Sequence, residues 1–234
     1  MGWGWVHLLK YIDVILTCVG HPQDFWNHVK DENFVESLDL SQPSRTIPLA
    51  FHVDGVKVYK NQKIWIYSYS SMVRKRGNSL ENKTILALVR DSMLAKPHTH
   101  DAMALVIAFI CKTLSSGLYP LCDWKGNPWP SNSREHSLAG TPFTSHGWRC
   151  AFAAFKGDLE ARVMVHKMVR NYMANMICEH CPAGKLLNYA DFRRNAPWTS
   201  VRFSHQDFLD LNPPHRQSAW TNVPGWTKER NLED

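Results

Sequence analysis

Ile47-Pro48-Leu49-Ala50-Phe51-His52-Val53-Asp54-Gly55 is an apolar run of strand length that stops on a carboxylate and a glycine. Proline is tolerated among the first residues of a strand, so Pro48 does not disqualify it. The pattern returns as Cys150-Ala151-Phe152-Ala153-Ala154-Phe155-Lys156-Gly157-Asp158, followed by Leu159-Glu160. Each run reads as a buried strand with an aspartate at its tip, held rigidly yet able to meet water or an ion. Two such tips side by side would make a divalent-cation site, because hard oxygen ligands suit Mg2+ or Mn2+.

Outward from the first run, Val56 and Val58 alternate with Lys57 and Tyr59. Lys60-Asn61-Gln62 forms a turn, and Ile64-Trp65-Ile66-Tyr67-Ser68-Tyr69 runs back, which predicts a hairpin. Residues 84–89 predict a third strand. Residues 98–114 predict a helix with Ala102, Leu105, Val106, Phe109 and Ile110 inward. Residues 117–148 are a Pro/Gly/Ser/Trp-rich connection, longer than ordinary loops: an insertion, a lid or a disordered stretch. A helix over 159–176 follows the second aspartate. The order predicts an α/β (α+β) fold, with an antiparallel three-strand meander, a crossover to a fourth strand and packed helices. Three parts are expected: a helical lead-in over 1–46, the core over 47–182, and an irregular Trp/Pro/Arg-rich segment over 183–234.

The 234 residues can bury one substantial core, and 44% hydrophobic with 21% charged residues indicates a globular chain. A formal charge of +6 suits a polyanionic partner, DNA before others. Lys10 and Asp13 interrupt the apolar stretch from Trp3 to Val19, which argues against a signal peptide and a membrane span. A nuclear or cytoplasmic protein is expected, not a secreted one. Neither a Gly-x-Ser-x-Gly elbow nor a glycine-rich phosphate loop is present, so serine-hydrolase and nucleotide-loop chemistries find no support.

Other motifs have two readings each. Cys178-Glu179-His180-Cys181 is half of a Zn2+ site, with His180, His166, His205 and His215 as candidate partners, or a pair of free thiols. Arg74-Lys75-Arg76 and Arg193-Arg194 are phosphate contacts or solvated faces. The loop tryptophans, Trp124, Trp129, Trp148, Trp198, Trp220 and Trp226, stack on bases or anchor loops to the core. Asp54 is a metal ligand or a turn residue, and Asp158 a metal ligand or the N-cap of the next helix.

Phe51-His52-Val53-Asp54-Gly55, the aromatic hairpin from Lys63 to Ser71, Gly157-Asp158-Leu159-Glu160 and the Cys-x-x-Cys, in that order, resemble the ribonuclease-H-like core of DDE transposases of the CACTA-like kind. The resemblance spans roughly residues 47–182. It implies a fragment or relic of a DNA transposase, with Asp54 and Asp158 holding the ions that cleave phosphodiesters and transfer strands. The family's third acid has no clear counterpart: Glu229 and Glu233 stand at the very end, and Asp207 and Asp210 lack a matching spacing. The resemblance therefore implies an amino-terminal piece of a longer catalytic domain, or a basic nucleic-acid-binding module that has lost its chemistry.

Overall fold

The computed structural model describes residues 21–30, 35, 38, 40–60, 62–73, 83–95, 98–168, 174–178, 181–184, 190–191, 193–204, 206–207, 210, 219–224, 226 and 231–232. Its centre is a mixed sheet. Strands β1 (Thr46–Tyr59), β2 (Gln62–Ser71) and β3 (Thr84–Arg90) form an antiparallel meander. Strand β4 (Arg149–Lys156) lies parallel to β1 on its other side, and the two-residue β5 (Asn231–Leu232) adds to β4. The spatial order is β3-β2-β1-β4-β5.

Of the helices, α1 is Pro22–His28, α2 His98–Ser116, α3 Arg134–Leu138, α4 Leu159–Met164 and α5 Pro197–Ser200. The long helix α2 belongs to the crossover from β3 to β4, as a parallel connection requires. None of the described helices is long and apolar enough to cross a membrane.

Strand alternation sorts the core onto two faces. Ile47, Leu49, Phe51 and Val53 of β1 join Trp65, Tyr67 and Tyr69 of β2 beneath α2 and α4. On the opposite face, Trp26 of α1 covers Ala151 and Ala153 and donates to the Thr46 carbonyl at 2.6 Å. A bulge in the β1–β4 pairing, between Leu49 and Ala50, leaves Ala153 without a register partner. Phe152 and Phe155 therefore both reach the helix-covered face, where each lies about 6 Å from Phe51 by ring centroid (6.3 and 6.1 Å).

Several expectations change. In α2 the buried side is His100, Ala104, Ile107, Ala108, Cys111 and Leu114, whereas Leu105 is 44% exposed and Ala102 faces solvent. The helix is apolar nearly all round, so its periodicity alone did not fix which stripe turns inward. The helix expected over 159–176 ends at Met164. The chain then turns through Lys167, which adopts φ 55°, and this carries His166 and Met168 into the core.

Residues 117–148 form a hydrogen-bonded loop rather than a structureless one. Asp123 accepts from the amides of Lys125 and Asn127 at 2.9 and 2.8 Å, and Trp129 donates to the Pro120 carbonyl at 2.8 Å. Trp148 packs against the core, Trp220 and Trp226 are buried, and Trp198 donates to the Asp191 carbonyl. These tryptophans act as anchors; Trp124 is 43% exposed beside Lys125.

Candidate functional site

Asp54 does not end its strand. It closes the buried half of β1, which continues to Tyr59 as an arm paired with the start of β2. The hairpin partner keeps β1 extended, so Asp54-Gly55 stays in register opposite Ile66 and Trp65 instead of turning. On the other side β1 loses its neighbour: His52 pairs with Lys156, the last residue of β4.

Asp54 and Asp158 each follow that last pair by two residues, Asp54 within β1 and Asp158 beyond the end of β4. Gly157 permits a close approach to β1, since a Cβ there would stand 3.0 Å from the Val53 carbonyl oxygen and 3.1 Å from the Ala161 Cβ. Asp54 is half-buried and Asp158 exposed.

Asp158 is also the N-cap of α4, its Oδ1 accepting from the Ala161 amide at 2.7 Å. The N-cap reading of this residue is the one observed, and the cap engages one carboxylate oxygen. The donors fit a hard divalent cation in type. Among the described residues, no cluster of three or more His, Cys, Asp or Glu side chains is gathered for a metal ion.

A cation that the sequence did not single out lies at the same end of the sheet. Lys63 of β2 runs diagonally across Gly55, where an added Cβ would collide with the lysine Cε and stand 2.5 Å from its Nζ. The ammonium ion-pairs with Glu160 of α4 and sits 4.3 Å from the Trp65 ring centroid. The Lys63 side chain is 16% exposed and that of Glu160 52%. The available signal was the hairpin register: a turn at Lys60 puts Lys63 opposite Lys57, hence next to the vacant side of Gly55. Behind this corner, Trp65 donates to Asp91 at 2.9 Å, and Tyr67 Oη lies 2.5 Å from His100 Nδ1 in the core.

The remaining candidates lie elsewhere or apart. Cys178 and Cys181 lie between Ile177 and Ala183, whose amide and carbonyl hydrogen-bond, and the two thiols are in contact. Burial raises the Cys181 thiol pKa, and the Cys178 contact raises it further. Of the candidate zinc partners, His180, His205 and His215 lie outside the described residues. His166 is buried between the rings of Phe155 and Trp220 at centroid distances of 4.7 and 5.1 Å.

Burial, with Arg162 and His100 nearby, pushes His166 down to about 3. Arg74, Lys75 and Arg76 also fall outside the described residues. Arg193 is engaged by Asp191, donating from Nε and Nη2 at 2.9 and 2.8 Å, and Arg194 is exposed. No family model, curated protein or solved structure matches the chain.

Proposed function

We propose that this chain is a polynucleotide-processing core of the ribonuclease-H-like, DDE-transposase kind, a fragment or relic of a DNA transposase. Asp54 and Asp158 are its carboxylates. The observation that supports the reading is the parallel pairing of β1 with β4: Asp54 and Asp158 each stand two residues past its last pair, His52–Lys156, where β4 ends. Ligands in open α/β sheets commonly bind outside these strand ends. The meander, the helical crossover and the return of β4 beside β1 are the arrangement the resemblance calls for.

A divalent cation bound between the carboxylates would activate the attacking oxygen and stabilise the leaving one in phosphodiester cleavage. The chain's own part is to hold the acids on rigid strands and to present positive charge to the substrate backbone. The test is Mg2+-dependent nicking of supercoiled plasmid by the full chain and its Asp54→Asn variant. Loss of nicking at unchanged melting temperature is expected, and a variant that nicks as well as the parent removes the catalytic assignment.

The cap on Asp158 favours a second reading, a basic nucleic-acid-binding module in which that residue only starts α4. It predicts salt-sensitive DNA binding that is indifferent to Asp54→Asn and unaccompanied by nicking.

A further inference from the structure

We infer that Lys63 is a phosphate-binding residue, taking a backbone phosphate of the polynucleotide and holding it at the end of the sheet where Asp54 and Asp158 stand. This rests on the reading that a nucleic acid reaches this end of the sheet. Three observations lead to it.

The first is placement. Gly55 gives up its side-chain space to the lysine stem, so the ammonium is carried across β1 at the residue that follows Asp54. Its partner Glu160 is two residues past Asp158, so one cation links the residue after Asp54 to the first turn of the helix that Asp158 caps.

The second is pre-organisation. The side chain is 16% exposed, and its Nζ lies 4.3 Å from the Trp65 ring centroid. The indole is itself fixed by its bond to Asp91. A lysine held this way loses little further freedom when it meets an anion, and cation–π contact tolerates a change of anionic partner.

The third is the partner. Glu160 is half exposed, and an ion pair at such a rim contributes little net stability. A phosphate can therefore replace the carboxylate at small cost. In the free protein Glu160 acts as the placeholder for that phosphate.

The experiment uses the full chain and a fluorescein-labelled DNA duplex, with affinity measured by anisotropy across a salt series in Ca2+. Nicking in Mg2+ is followed in parallel. Lys63→Gln is expected to weaken binding on the order of fivefold and to lower the salt slope by about one, while Lys63→Arg restores both. Glu160→Gln is expected to tighten binding, and by more than Glu135→Gln, an equal charge change on the exposed helix α3.

Unchanged affinity and slope in Lys63→Gln overturn the inference whatever the nicking result, as does a parent chain that fails to bind the duplex. Weakened binding by Lys63→Gln from a parent that does not nick upholds the phosphate contact and removes only the catalytic reading.

Discussion

Acid should destabilise this protein through a buried imidazole. His166 lies in the core against Phe155 and Trp220, its Nδ1 has no hydrogen-bond partner among the described residues, and Arg162 and His100 add unfavourable charge. These surroundings lower its pKa from the ordinary 6.5 to about 3. Between those values the unfolded chain binds a proton that the folded chain refuses, so stability falls as pH falls through the window. Each pH unit inside it costs about 1.4 kcal/mol.

Moving from neutral pH to pH 5 therefore removes roughly 2 kcal/mol, a large share of the 5–15 kcal/mol typical of a domain. The assay is urea unfolding at pH 7 and pH 5 for the parent, His166→Gln and His166→Leu. The variants should start less stable at pH 7 but lose about 2 kcal/mol less than the parent on acidification. Equal acid losses in parent and variants would refute the reasoning, however stable each protein is at pH 7.

Two further outcomes follow from the same structure. Asp158→Ala should cost about 1 kcal/mol by removing the cap of α4, whereas Asp158→Asn keeps a capping oxygen. Chemical denaturation should therefore separate the two variants, and the Asn form should still lose any Mg2+-dependent nicking. The Cys150 thiol, raised to about 12 by complete burial, should resist a thiol reagent in the native protein and react at the rate of unfolding; fast native labelling at Cys150, read by peptide mass, would contradict its buried placement.

Much of the sheet was legible because strand signals are local. Alternation in 56–59 and 64–69, the turn between them and the β-branched run at 84–89 gave the meander, and the helix over 98–114 gave the crossover. What stayed hidden depended on partners. Asp54 looked terminal because the apolar run stops there, yet β2 keeps the strand going for five more residues. The end of α4 carries no glycine or proline, so nothing local announced that Lys167 would leave the helical region. Lys63 and Gly55 are eight positions apart in a hairpin, and only the cross-strand diagonal makes them one feature.

The unpaired residue in β4 also marks a position where the strand can lose one residue and keep its pairing. Seven positions separate Ile47 from Asp54, and eight separate Cys150 from Asp158, although Ile47 and Cys150 start as partners. Removing Ala153 would make the ladder continuous, because Phe152, Ala154, Phe155 and Lys156 already pair with Leu49, Ala50, Phe51 and His52. Both spacings would then be seven, and every later residue of β4 would keep its partner and its face. The loss would be the Ala153 methyl that packs under Trp26, so a single-codon deletion there is a packing defect and not a change of register.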